Sequence, residues 1–301
     1  MIVYFVTQAH GYTMRNFLEY WAPELYPMIN LAFFEELFDL AAKAGGVKLP
    51  HGTYIFTDVD RLSPTQREVA CAVARKVKAV GLPILNDPER VLDRFELSKL
   101  LYKQGINSFD VYRANEKPDR FPVFFRHISQ HVGSITNPIP SQPDLDACRA
   151  YLHKHGFIDS DLMSVEYIHG AGADGIFRKY GCQIVGDMLI ADHLFFSSQW
   201  ITRFFDDSAT DEMLEEERAY VFAEQNPHEA ELRQVFQLAN IQYGRVDYGI
   251  IDGKIQIWEI NSNPMITGPP EEVSPRRLQL KNHVHDLLKK SFVKLDGSAP
   301  N

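Results

Sequence analysis

Apolar residues come in two kinds of run along this chain. Nearly continuous runs at 2–7 (IVYFVT) and 53–58 (TYIFTD) read as short buried strands. Between them Leu31, Phe34, Leu37, Leu40 and Ala41 recur at helical spacing, which predicts an amphipathic helix from Asn30 to Lys43. Residues 65–80 predict a second helix, closed by Gly81 as its C-cap, and Pro83-Ile84-Leu85 the next strand. Strands alternating with helices make residues 1–85 an α/β unit.

Asn86-Asp-Pro-Glu89 then reads as the start of a new helix. Asn86 or Asp87 can cap it, Pro88 fits its first turn and Glu89 suits its positive end. Val91, Leu92, Phe95, Leu100 and Leu101 supply its apolar stripe, and Gly105 ends it. Strands at 109–113 and 121–127, a polar stretch with His131-Val-Gly-Ser134, a helix at 144–155 and a strand at 163–168 follow. Gly170 to Gly175 is a turn-rich break, and residues 183–194 predict a hairpin around Gly186-Asp187. Residues 206–217 are acidic, a loop or an exposed helix start. A helix at 228–240, a hairpin at 244–261 turning at Asp252-Gly253, a helix at 274–291 and a loose tail to Asn301 complete the chain. The division expected is 1–85, 86–165 and 166–301, with no internal repeat.

Composition narrows the function. The 301 residues carry 40 Asp plus Glu against 31 Lys plus Arg, a formal charge of −9. That balance argues against a general nucleic-acid binder, which needs a basic face for phosphates, while leaving room for a small basic pocket. Cys71, Cys148 and Cys182 are widely spaced with no CxxC, which fits a reducing compartment and no zinc site. Nothing approaches the about 20 apolar residues of a membrane span, and no basic residues precede the first apolar run as in a signal peptide. A cytoplasmic protein without membrane or nucleic-acid partners is expected.

The chemistry concentrates between Gly244 and Pro264. Arg245 and Asp247 share a face of one predicted strand, and Glu259, Asn261 and Asn263 share a face of the next. Polar groups beside Ile, Val and Trp are costly unless something charged satisfies them, and Mg²⁺ takes hard oxygen ligands of this kind. A strict two-residue turn at Asp252-Gly253 pairs 247 with 258 and puts the carboxylates on opposite faces. A three-residue loop, or a one-residue bulge, pairs 247 with 259 and unites them, and that is the register expected. The plainer alternative is an exposed hairpin with one wet face.

These residues resemble the ATP-grasp superfamily, in the style of its D-alanine–D-alanine ligase-like and ribosomal-protein glutamate-ligase-like branches. Arg245-Val-Asp-Tyr248 and Glu259-Ile-Asn-Ser-Asn-Pro264 match that family's R-V-D-[FY] and E-x-N-[TS]-[NS]-P strands. The resemblance, from about Asn86 to Pro264, implies an α/β (α+β) ATP-grasp fold: an N-terminal α/β pre-domain, a small central lid domain and a C-terminal antiparallel-sheet domain. It implies Asp247, Glu259 and Asn261 as ligands of Mg²⁺ (or Mn²⁺), and Arg245 as stabilising charge on the transferred phosphoryl group or the tetrahedral intermediate. Arg94 and Arg126 stand where the family has phosphate-binding lysines. His131 to Ser134 stands at its glycine-rich phosphate lid, with Ser134 facing nucleotide. Val165-Glu-Tyr-Ile168 looks like the hinge strand that holds adenine through Glu166 and the backbone of Tyr167 and Ile168. Asp174 is a looser match to the ribose-binding acid, and Arg178 and Lys179 are candidates for substrate or phosphate contacts. The sequence departs from the family in having Arg for both lysines, a wider planar fork, and a single glycine in the lid.

The remaining candidates are weaker. His283 and His285 lie two apart on the last helix and read as solvated surface. His127 and His131 lie across a strand end and do not suggest a shared metal. His10-Gly11 follows the first strand, where α/β folds bind ligands, so a substrate contact and a plain turn both stay open. No P-loop or nucleophile elbow is present. The expected function is ATP-dependent ligation of a carboxylate to an amine, with a small-molecule or peptide substrate. A kinase on the same fold and a nucleotide-binding module without turnover are the alternatives. Family habit allows a homodimer.

Overall fold

The computed structural model describes residues 1–42, 50–130, 132–202, 209–266 and 268–296. Lys43, His131, residues 206–208 and the tail 297–301 lie outside the described residues. Strand β1 (Ile2–Val6) leads through a 3-10 turn into α1 (Tyr12–Asn16), continued by a π turn at Phe17–Trp21. Then come β2 (Ile29–Phe33), α2 (Phe34–Ala42), β3 (Thr53–Phe56), α3 (Pro64–Ala79) and β4 (Ile84–Leu85). The four strands form a parallel sheet in the order β2-β1-β3-β4. The helix expected from Asn30 therefore begins at Phe34. Residues 29–33 pair with β1 from Ile2↔Ile29 to Val6↔Phe33, because a short apolar run fits either period and tertiary pairing decides.

Helix α4 (Arg94–Lys103) also starts later than its local signals imply. Asp93 and Glu96 form a reciprocal capping box, at 2.7 Å to the Glu96 N–H and 3.1 Å from the Asp93 N–H. Asn86, one of the two expected caps, is left-handed instead, with φ 56°. Its amide donates to the Tyr243 carbonyl at 2.7 Å and accepts the Gln242 and Tyr243 N–H groups at 2.8 and 3.0 Å. That side chain docks the end of the first sheet onto the last.

A three-stranded antiparallel sheet, ordered β5-β7-β6, comes from β5 (Val111–Arg113), β6 (Val123–His127) and β7 (Leu162–Glu166), with α5 (Gln142–Lys154) between β6 and β7. The second antiparallel sheet, β11-β10-β8-β9, is built from β8 (Phe177–Val185), β9 (Met188–Ser197), β10 (Tyr243–Ile251) and β11 (Lys254–Asn261). Helices α6 (Asp211–Val221) and α7 (Glu229–Ala239) separate β9 from β10, and α8 (Leu278–Asp296) ends the described chain.

One core joins the first sheet to the last: Tyr4, Phe17 and Leu18 pack with Leu194, Tyr243, Val284, Leu288 and Phe292. Val123, Phe125, Leu145, Leu152 and Leu162 give the middle sheet and α5 a core of their own. No described helix is long and apolar enough to cross a membrane.

Candidate functional site

The β10–β11 hairpin turns through two residues, Asp252 and Gly253, both at positive φ (51° and 74°). Strict pairing runs from Ile251↔Lys254 to Tyr248↔Ile257; then Trp258 bulges, and Asp247 pairs with Glu259 and Arg245 with Asn261. The bulge puts Arg245, Asp247, Glu259 and Asn261 on one face. The row continues across the sheet, since Asp247 pairs with Gly181 and Gly181 with His193. A second bulge, at Asp192, adjoins the same row. Gly181 has to be glycine, because a Cβ there would lie 2.3 Å from the His193 ring.

Every carboxylate in this row is held by cations. Lys179 Nζ donates to Asp247 Oδ2 and Arg245 Nε to Asp247 Oδ1, both at 3.0 Å. Burial alone would raise the Asp247 pKa, but Arg245 and Lys179 outweigh it and hold the group below the usual carboxylate range. Glu259 Oε2 accepts from Arg94 Nη2 at 2.9 Å and Arg126 Nη2 at 2.7 Å. Arg94 is 8% exposed, and its Nη1 also donates to the carbonyls of His127 (2.8 Å), Ile128 (3.1 Å) and Gln130 (2.8 Å). Burial and the neighbouring Arg126 push its pKa down to about 10, against the pull of Glu259.

Sequence reasoning missed the layer behind. Lys281 of α8 donates to Asp192 Oδ1 at 3.0 Å, and Asp192 Oδ2 lies 3.0 Å from His193 Nδ1 and 3.5 Å from Arg245 Nη1. Burial, against Asp192, lowers the His193 pKa to about 4. The signals were available: Asp192-His193 interrupts an apolar strand, and Arg277 and Lys281 put positive charge at a helix start, where it opposes the macrodipole.

The row forms one wall of a cavity of about 1350 Å³ that the two antiparallel sheets and the segments following β1 and β3 line. Val111, Met163, Val165 and Trp258 make one stretch apolar, and Ser134, Glu166, Tyr167 and Ile168 also line the cavity. Glu166 is 4% exposed and fully engaged: it accepts the Asp110 N–H and the Tyr112 hydroxyl at 2.8 and 2.9 Å and pairs with Arg120. The Tyr167 N–H is given to the Pro122 carbonyl at 2.8 Å. Asn261 Oδ1 accepts the Asn263 N–H at 2.9 Å. Asp174 is not among the described lining residues; it pairs with Arg178 at 2.9 Å, and that guanidinium keeps its pKa near 2. Arg178 does line the cavity but spends its fork on Asp174 and Glu216.

No protein-family profile matches this chain, and no curated protein matches it by sequence. Solved structures do match its fold along nearly the whole length. D-alanine–D-alanine ligase from Bacillus anthracis, complexed with ATP, superposes with a TM-score of 0.54 at 15% identity, covering 99% of each chain. D-alanine–D-alanine ligase from Coxiella burnetii gives 0.55 at 12% identity, covering 98% of this chain and 94% of that one. L-amino acid ligase from Bacillus licheniformis gives 0.51 at 9% identity, over 97% and 73%. The chain has the ATP-grasp fold, a parallel sheet followed by two antiparallel ones.

Proposed function

We propose that this protein is an ATP- and Mg²⁺-dependent ligase that activates a substrate carboxylate as an acyl phosphate and joins it to an amine. Amino acids or small peptides are the substrate class. The observation that carries the reading is the bulged pairing of Asp247 with Glu259, ringed by Arg94, Arg126, Lys179 and Arg245 on a cavity wall.

The donor set fits a hard divalent cation. Two carboxylates and the Asn261 amide oxygen offer hard oxygen ligands, and the four side-chain cations now paired with those carboxylates would turn to phosphate oxygens as an ion takes their place. Among the described residues no three His, Cys, Asp or Glu gather as a metal cage, which suits an ion that completes its shell from phosphate oxygens and water. When bound, Mg²⁺ or Mn²⁺ neutralises charge on the phosphates during transfer.

The chain's own groups divide the rest of the work. Arg126, moving from Glu259 to a phosphate, offers a planar two-point fork. Arg245 faces the charge that develops on the reacting centre. The apolar stretch at Val111, Met163, Val165 and Trp258 takes adenine. With the Glu166 carboxylate and the Tyr167 N–H engaged, the Tyr167 carbonyl and the Ile168 backbone remain to read the polar edge of the base. Ser134 covers the phosphates, and no role is left for Asp174. The substrate carboxylate oxygen attacks the γ-phosphorus and ADP leaves; the amine nitrogen attacks the acyl carbon and phosphate leaves.

Hydroxylamine, as a general nucleophile, tests this with a panel of amino acids as carboxylate donors. Hydroxamate and ADP should form in equal amounts, and Asp247→Asn or Glu259→Gln should reduce both by at least about a hundredfold. Turnover at the wild-type rate in either variant defeats the metal assignment. ATP binding without ADP release would assign a binding module instead, and a lasting phosphoester a kinase.

A further inference from the structure

In the first sheet β1 lies between β2 and β3, so the chain switches sides there. Open α/β sheets bind ligands in the crevice outside the carboxyl ends of the strands at such a point. Thr7 and His10 follow β1, and Asp58 and Arg61 follow β3. Asp58 is left-handed, with φ 53°, and only 1% exposed. Its Oδ2 accepts the Thr7 N–H at 3.2 Å, the Thr7 hydroxyl at 2.8 Å and the Asn263 amide at 3.2 Å. Its Oδ1 lies 3.0 Å from Arg61 Nε.

These bonds fix the state of His10. Thr7 has one hydroxyl proton and gives it to Asp58. Thr7 Oγ1 must therefore accept from His10 Nδ1, 2.8 Å away, so His10 presents Nε2 as an acceptor. Arg61 Nη1 lies 3.1 Å from that nitrogen. The guanidinium is thus held by an ion pair to Asp58 and by its contact with His10 Nε2. Its Nη2 has no protein partner among the described residues, and Arg61 lines the cavity. A cation fixed in advance loses little freedom when it binds an anion, and a guanidinium edge suits a planar carboxylate.

Tyr12 and Met265 line the same cavity and are 41% and 53% exposed, so each offers apolar surface to a ligand there. The Thr13 hydroxyl donates to Asn263 Oδ1 at 2.7 Å and ties together the two segments that carry them. The whole cavity, at about 1350 Å³, exceeds the about 300–1000 Å³ of a single-ligand pocket, leaving room beside a nucleotide.

We infer that Arg61 receives the carboxylate of the acyl-donor substrate, and that this donor is an amino acid with a large apolar side chain lying against Tyr12 and Met265. The inference rests on the ligase reading and adds to it the receptor and the kind of donor. His10, Thr7 and Asp58 are positioning residues that act through Arg61.

Calorimetry on the full chain, saturated with a non-hydrolysable ATP analogue and Mg²⁺, tests it with phenylalanine, leucine and methionine as probes, and alanine and phenylalaninamide as controls. The three probes should bind at least about tenfold more tightly than alanine, and phenylalaninamide, which lacks the carboxylate, should not bind. Arg61→Gln should weaken probe binding by about tenfold or more while the affinity for the analogue stays within about twofold. Tyr12→Ala should lower affinity for phenylalanine and not for alanine. Arg61→Lys keeps the charge beside Asp58 and loses the fork, so the same loss is expected in a variant that retains the buried pair. Unchanged probe affinity in both Arg61 variants overturns the inference. So does an equal loss of analogue and probe, which would place Arg61 on the phosphates, or probes that bind no better than alanine. An analogue that fails to bind the wild-type chain overturns the ligase reading itself.

Discussion

Arg94 shows how one side chain can hold two duties. It was readable from the sequence as a cation in the position of a phosphate-binding lysine, and it does stand beside Glu259 at 2.9 Å. What the sequence could not show is that its Nη1 shares two protons among the carbonyls of His127, Ile128 and Gln130, the segment leading to the expected lid. Those partners lie more than thirty residues away, so no local pattern betrays them. An ammonium is a point charge and cannot span both sides. Arg94→Met leaves three carbonyls without their donor and Glu259 with Arg126 alone, and urea denaturation should show a loss of about 1–3 kcal/mol. Arg94→Lys should lose most of the same amount; full stability in that variant would mean that the fork geometry is irrelevant.

At the scale of elements, the hairpin was the most legible feature because its polar residues sit in an otherwise apolar pair of strands. Their register followed from requiring Asp247 and Glu259 to share a face, although the bulge at Trp258, rather than a longer loop, supplies it. Elements whose partners are remote were less legible. The β2 strand was hidden in a helical period, and α1 with its π turn carries no strong local signal. Missing that turn also misplaced His285. It is not on a solvated face but 2% exposed, with its ring 3.9 Å from that of Trp21. Burial, and then Lys281, push its pKa from 6.5 to about 3. The unfolded chain therefore takes up a proton first as pH falls below about 6.5, and stability declines from there toward the folded value. Between pH 6.5 and pH 5 this amounts to about 2 kcal/mol, and His193, shifted down to about 4, adds a loss of the same sign. His285→Leu should about halve the fall in urea midpoint between pH 7 and pH 5. An unchanged fall would show that His285 does not titrate with unfolding.

The molecule as a whole carries a charge of −9, yet its cavity wall gathers Arg61, Arg126, Lys179, Arg245 and Lys281, with Arg94 buried beside it on Glu259. Each of the two carboxylates that would hold the metal is bound by two of these cations. Buried charges stay favourable only when paired, so a metal cannot take the carboxylates unless something takes the cations. On the proposed reading a triphosphate is that something, and by linkage each ligand would then favour the other. In thermal unfolding, Mg²⁺ alone and a non-hydrolysable ATP analogue alone should each move the midpoint little. Together, with the Mg²⁺–analogue complex at about a hundred times its dissociation constant, they should stabilise by about 2.7 kcal/mol, or about 5 °C for a chain of this size. Lys179 holds Asp247 from the same strand that carries Gly181, so Lys179→Met removes one cation without touching a carboxylate. Mg²⁺ alone should stabilise that variant more than the wild type, because Asp247 has then lost a competitor. Equal shifts in the two proteins, or wild-type shifts that simply add, would mean that the ion pairs do not couple the sites.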